Sequence, residues 1–171
     1  MANAPSGGPG KAKQSGLAET AEPARNGPKR SGGAGGYVLE DQIGHILRRA
    51  HQRASAIFSA EFAGFELTPT QFAALAKIGD GGEVSQNHIG RLTAMDPATV
   101  QGVIGRLEKR GLIARKPDPD DRRRTLWRLT DEGADLLART VPAGIRVTRA
   151  TLEPLDAKEQ RLLLELLGRI S

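Results

Sequence analysis

The run Arg122-Arg123-Arg124, preceded by Asp118-Pro-Asp-Asp121, concentrates charge in a polar, proline-punctuated stretch of this 171-residue chain. Guanidinium groups keep their charge at any physiological pH and present planar donors, so three in a row suit phosphate oxygens and base edges. From Arg106 to Arg128, nine Lys or Arg stand against four Asp or Glu, a surplus matching the formal net charge of +5 for the whole chain. The positive field is therefore local, as expected for a surface that neutralises phosphates. Other chemistries find no support. His45, His51 and His88 have no metal-ligand spacing, no glycine-rich phosphate loop follows a strand, and no nucleophile elbow occurs. The chain has no cysteine, which removes disulfides, thiolate zinc sites and cysteine nucleophiles. An enzyme is not expected, nor a metal or cofactor.

The elements that must position this charge are legible on either side of it. Asp96 is an N-cap with Pro97 at the first helical position, Val100, Val103, Ile104 and Leu107 share one face, and Gly111 supplies a left-handed stop. Leu112–Arg115 reads as a short strand, 117–124 as the basic loop, and Thr125–Leu129 as the returning strand. Thr68-Pro-Thr-Gln71 is a capping box that opens a helix with Phe72, Leu75, Ala76 and Ile78, broken by Gly79–Gly82. Ser85 caps a short helix carrying Ile89 and Leu92, and a turn through Thr93–Met95 leads into the helix at Asp96. Helix, turn, helix, strand, basic loop, strand predicts a mainly α fold with a small β-hairpin wing over 68–130, a winged helix-turn-helix.

Flanking segments predict a second role. Leu39, Ile43, Ile46, Leu47, Ala50, Ala54, Ile57, Phe58 and Phe62 recur at helical spacing over more than six turns until Gly64. Thr130 caps another helix, with Asp131 and Glu132 in its first turn, that Pro142 and Gly144 should bend or divide. Asp156-Ala-Lys-Glu159 opens a last helix with a wide stripe of Leu162, Leu163, Leu166, Leu167 and Ile170. Such stripes over 37–64 and 131–171 need a cover, and the economical cover is a second copy, giving a homodimer. Residues 1–36 are rich in Gly, Pro, Ala and Ser with an excess of basic residues, and are expected to be a disordered tail. No apolar run approaches the roughly 20 residues of a membrane span, so a cytoplasmic protein that meets DNA and not a membrane is expected.

The order of helices, the run Asp118-Pro-Asp-Asp-Arg-Arg-Arg and the following Leu129-Thr-Asp-Glu-Gly133 resemble the MarR family of bacterial transcriptional regulators over nearly all of Leu39–Ser171. The resemblance implies a winged-helix homodimer with a recognition helix in the major groove and the wing arginine in the minor groove of a pseudo-palindromic operator. Asp121 and Arg123 match the family's acid and arginine, and Asp121 accepting from Arg123 would fix the guanidinium where a narrow groove concentrates negative potential. Gly102 departs from the pattern, which shifts base readout to Thr99 and Gln101.

The candidate DNA contacts are thus Ser85 and Gln86 through the amides of a helix start, Thr99, Gln101 and Arg106 on the recognition helix, and Asp121, Arg122, Arg123 and Arg124 in the wing. The phrase from Ile43 to Arg53, with Ala56-Ile-Phe58, is similar to MarR-type repressors of aromatic-acid breakdown, including those that answer to p-coumaroyl-CoA. His45, Arg48, Arg49, His51 and Arg53 are the candidate effector contacts, because arginines pair with carboxylates or CoA phosphates while aliphatics hold a ring. An aromatic acid or aromatic acyl-CoA would then release the repressor. A ligand-blind architectural DNA binder, or a regulator of efflux or stress genes sensing another small anion, remains the competing reading.

Overall fold

Helix ends in the computed structural model, which describes residues 36–121 and 123–171, fall where side chains satisfy free backbone groups. A 3-10 turn at Leu39–Asp41 precedes α1, Ile43–Glu61. At the start of α2, Pro69–Gly81, the Thr68 hydroxyl accepts from the Gln71 amide at 3.3 Å and the Gln71 carboxamide accepts from the Thr68 amide at 2.9 Å. The capping box satisfies two donors that the first turn leaves without carbonyl partners. Then follow β1, Val84–Ser85; α3, Gln86–Thr93; and α4, Pro97–Lys109. The Asp96 carboxylate accepts from the Thr99 amide at 2.9 Å, and Gly111 adopts φ +71 just past the helix end, as the cap chemistry predicts. β2, Ile113–Pro117, and β3, Thr125–Leu129, form the wing, and α5, Asp131–Leu152, and α6, Ala157–Ile170, complete the chain.

The fold is the expected one, mainly helical with an antiparallel winged sheet, but the sheet has three strands in the order β1-β3-β2. Val84 pairs with Trp127 and Ser85 with Leu126. The hairpin expected from sequence therefore gains an edge strand, and Ser85, placed as a helix cap, is also a ladder residue whose hydroxyl makes no cap hydrogen bond. Other expectations shift. α1 begins only at Ile43 and spans 19 residues, because the apolar spacing runs through a 3-10 turn that is not continuous with it. α5 is not divided: it runs through Pro142 to Leu152. Pro142 and Ala138, whose carbonyl would have received the missing N–H, are both exposed, so water can take the place of the lost donor. Residues 1–35 and Arg122 lie outside the described residues.

The core joins the DNA-binding half to the long helices. Leu75, Ile78, Ile89, Val100, Val103 and Leu107 are buried from α2, α3 and α4, with Trp127 of the sheet and Leu136 and Ala143 of α5. The rings of Phe58 in α1 and Phe62 just past its end stack at 3.9 Å, and Phe62 meets Phe72 edge-on at 4.9 Å. One approach is closer than any side chain would allow. A β-carbon on Gly133 would sit 1.9 Å from the Leu112 carbonyl oxygen. Thr130 fastens the same junction, donating from its amide to Leu112 (3.2 Å) and from its hydroxyl to Gly111 (2.6 Å) while capping Gly133 (3.0 Å). The Leu129-to-Gly133 segment is thus the fastened junction at which the wing passes into α5.

Candidate nucleic-acid interface

The inward face of α4 is fixed by Val100, Val103, Ile104 and Leu107, which leaves Gln101, Gly105 and Glu108 along a neighbouring edge at i, i+4 and i+7. That edge borders a cleft of about 580 Å³, closed on one side by Ser85, Gln86 and Asn87 and on the other by Arg115, Arg123, Arg124, Thr125 and Trp127. Five candidates from sequence thereby come together: Ser85, Gln86, Gln101, Arg123 and Arg124. Thr99 and Arg106 are not among the cleft residues. The Thr99 hydroxyl donates to the Asp96 carboxylate. Arg106 folds back over Gly102, where a β-carbon would lie 3.4 Å from its guanidinium, and borders a second depression with Lys109, Arg110, Glu66 and Gln71. The gap left by the departure at Gly102 is therefore filled by a charged group from the next turn.

The wing loop differentiates its arginines. Its neck is closed by the Asp118 amide donating to the Arg124 carbonyl at 3.0 Å. The Asp118 carboxylate, only 7% exposed, accepts from the Asp120 amide at 2.9 Å and forms an ion pair with Arg124, whose Nε lies 3.1 Å away. Arg124 is thus partly committed to holding the loop. Asp121 accepts from the Arg123 amide at 3.0 Å, and its carboxylate lies 3.6 Å from Arg123 Nε. The Arg123 side chain is 96% exposed. An ion pair so exposed contributes little stability, so its consequence is orientation: a free guanidinium pointed outward from a closed loop. Arg122 lies outside the described residues.

Sequence reasoning missed Glu108 and Arg115. Arg115 Nε donates to Glu108 Oε1 at 2.6 Å and Nη2 to Oε2 at 3.0 Å, a two-point pair between α4 and β2. Arg115 faces Trp127 in the β2–β3 register and its guanidinium lies 5.6 Å from the ring centre. The hydrogen bond from Arg115 holds the Glu108 carboxyl below the usual range, and Glu108 in turn raises Arg115. The Thr99 hydroxyl bond similarly lowers Asp96. The signal was available, since Glu108 is seven residues past Gln101 and hence on its face of the helix, but the partner strand had to be known. A second tie, Lys116 to Glu83 at 2.6 Å, joins β2 to the residue before β1.

The candidate effector residues are dispersed along α1. His45 Nδ1 lies 3.3 Å from the Arg48 guanidinium, His51 lies 3.5 Å from the Ser55 hydroxyl, and Arg53 donates to the Ala150 carbonyl of α5 at 3.1 Å. Arg48, Arg49, His51 and Arg53 are exposed. An open depression of about 320 Å³ lies at the other end of the helix, lined by Phe58, Phe62, Leu67 and Pro69 together with Ser59, Glu66 and Thr68, and its wall includes none of the five. Among the described residues no cluster of His, Cys, Asp or Glu could hold a metal, and no helix is long and apolar enough to cross a membrane.

Comparison with known proteins places this geometry. Residues 65–124 match the MarR family. Over 134 residues, 78% of this chain and 85% of the relative, the sequence is 37% identical to the HTH-type transcriptional repressor NicR of Pseudomonas putida. A solved structure of Bordetella bronchiseptica BpsR, whose DNA binding is regulated by 6-hydroxynicotinic acid, matches with a TM-score of 0.76 at 40% identity, covering 78% of this chain and 96% of BpsR. The transcriptional repressor CouR, solved bound to a 23-mer DNA duplex, matches with a TM-score of 0.72 at 30% identity, covering 77% and 94%.

Proposed function

The chain belongs to the MarR family, and from that premise we propose that it is a homodimeric transcriptional repressor that leaves its operator when an aromatic acid or its CoA thioester binds. The cleft between α4 and the wing carries the DNA half of the reading. With α4 in the major groove, Gln101 can meet an adenine edge, and Arg123, oriented by Asp121, extends toward the adjoining minor groove. Ser85 and Gln86 present the start of α3 to a phosphate. The second copy is argued from exposed apolar surface. α6 buries none of its residues, and Ile43, Ile46, Ile145, Leu162, Leu166 and Ile170 are all exposed. Exposed apolar side chains on three helices fit an interaction site, and two recognition helices on one duplex face require half-sites about 34 Å apart.

The effector half draws on the depression beside the phenylalanines and on BpsR. About 320 Å³ beside Phe58 and Phe62 is at the small end of ligand pockets, suited to a single-ring acid. Arg48 lies ten positions before Phe58, about 15 Å along the helix, so a thioester could seat its ring by the phenylalanines and extend its phosphates toward Arg48 and Arg49. His51 lies between the two ends and His45 stands beside Arg48 at the far one, whereas Arg53 is held by the Ala150 carbonyl. Fluorescence anisotropy on a fragment selected from genomic DNA tests both halves, with 6-hydroxynicotinate, p-coumarate and p-coumaroyl-CoA as competitors. At least one should weaken binding roughly 5- to 150-fold. A protein that enriches no fragment refutes the repressor, and tight binding unmoved by every compound refutes these aromatic effectors and leaves the ligand-blind reading or a regulator that senses another small anion.

A further inference from the structure

A helix in the major groove and a hairpin in the adjacent minor groove must straddle the sugar–phosphate strand that separates the two grooves. On this chain the space they straddle is the 580 Å³ cleft, and Arg115 stands in its wall between Glu108 of α4 and Trp127 of β3. Two of its donors are spent on Glu108, through Nε and one Nη2 hydrogen. The guanidinium has five donors, so Nη1 keeps both hydrogens and Nη2 keeps one. The Arg115 side chain is 67% exposed against 32% for Glu108. The carboxylate is therefore the shielded partner and the guanidinium the one presented to solvent.

We propose that Arg115 is a phosphate clamp for the strand between the two grooves, and that Glu108 is its positioning residue. This rests on the DNA-binding reading above and adds a contact that reading does not contain. Left alone, an arginine on a strand samples many rotamers and loses that freedom on binding, a cost of about 2 kcal/mol of side-chain entropy at most. Here the carboxylate holds one edge of the fork and the indole supports its face, so the rotamer is set before DNA arrives. The arrangement repeats at a second position the logic of Asp121 and Arg123: an acid of the protein orients an arginine for an acid of the nucleic acid. The two sites differ in the partner they serve. Arg123 stands on the loop with a 96% exposed side chain, whereas Arg115 is midway along the β2–β3 ladder, opposite Trp127, with one edge of its fork held by Glu108. Arg115 should therefore add affinity and salt dependence without base preference.

The test is a salt titration of operator affinity for the full-length protein and for Arg115→Gln, Arg115→Lys and Glu108→Gln. One phosphate contact contributes about 0.9 to the slope of log affinity against log salt. Arg115→Gln should lose that increment, so that its deficit against wild type shrinks about 3.5-fold between 50 and 200 mM salt, while base preference stays the same. Arg115→Lys keeps the charge, and should keep the slope while losing part of the affinity. Glu108→Gln is the discriminating variant. Removing a negative charge beside DNA should tighten binding on simple electrostatic grounds, yet loss of positioning should weaken it two- to tenfold. Thermal melting followed by circular dichroism shows which variants fold, and if Arg115→Gln does not, Arg115→Lys at wild-type affinity overturns the clamp. A wild-type slope in Arg115→Gln, or tighter binding in Glu108→Gln, overturns the clamp. Failure of wild type to bind any operator overturns the DNA-binding reading instead.

Discussion

Replacing Gly133 with alanine adds one methyl group at the closest approach of any described glycine to neighbouring backbone. The new carbon would lie 1.9 Å from the Leu112 carbonyl oxygen and 2.9 Å from its carbon, so α5 and the start of β2 must separate by more than 1 Å. Both contacts are with backbone, which no rotamer change relieves. Separation of this size disturbs the hydrogen bonds of Thr130 to Leu112, Gly111 and Gly133, each contributing about 1 kcal/mol. Overpacking adds about 1–3 kcal/mol, and the helix preference of alanine over glycine returns about 1. The net loss should be roughly 2–4 kcal/mol, which at a urea slope of 1–3 kcal/mol/M lowers the midpoint by about 1 M or more. Gly105→Ala is the control, because its β-carbon would meet nothing within 4 Å and alanine there should stabilise α4 by about 0.5–1 kcal/mol. Urea unfolding at fixed protomer concentration reads both. Equal midpoints for Gly133→Ala and wild type would refute the close approach of α5 to the wing.

Acidification should act on α4 at two points. Asp96, lowered by the Thr99 hydroxyl, and Glu108, lowered by Arg115, each stabilise the fold above their unfolded pKa and lose that contribution as pH falls through the folded value. Carboxyl carbon titration by NMR should give both midpoints below those of an unstructured peptide, and Asp96→Asn with Glu108→Gln should flatten the acid limb of the stability curve. Leu162→Glu with Leu166→Glu places charge on one exposed stripe of α6; sedimentation should show monomers and operator affinity should fall, whereas a persistent dimer would show that the second copy lies elsewhere. Arg110 donates to the carbonyls of Glu66 (2.5 Å) and Phe65 (3.4 Å), where Glu66 holds φ +53. Arg110→Ala should therefore speed amide exchange in the α1–α2 turn and cost about 1 kcal/mol, and unchanged exchange would show the turn to be self-supporting.

What was legible in the sequence is what local chemistry decides. Asp96 and Pro97 at one end of α4 and Gly111 past the other fix that helix without reference to the rest of the chain, and the same holds for the Thr68, Thr130 and Asp156 caps. β1 was missed because its two residues carry no periodicity and exist only through pairing with β3, forty residues on. Arg115 was missed for a related reason: its role depends on Glu108 across a turn and Trp127 across a ladder. The helix-one arginines show the converse limit. Spacing puts them on one helix, but it did not show that Arg53 would be spent on the Ala150 carbonyl of α5. Among three adjacent wing arginines, sequence could not separate Arg124, tied to the buried Asp118, from the outward Arg123.

Hydroxyl-radical footprinting of a selected operator, with wild type and Arg123→Ala side by side, tests the central claim most directly because the radical reads minor-groove access. Wild type should protect two symmetric minor-groove tracts, each flanking a major-groove half-site, with half-site centres one helical turn apart. Arg123→Ala should lose those tracts while keeping the major-groove contacts of α4, and weaken binding by about 1–3 kcal/mol. Minor-groove protection that is absent from wild type, or that persists unchanged without Arg123, would contradict the wing as the minor-groove reader.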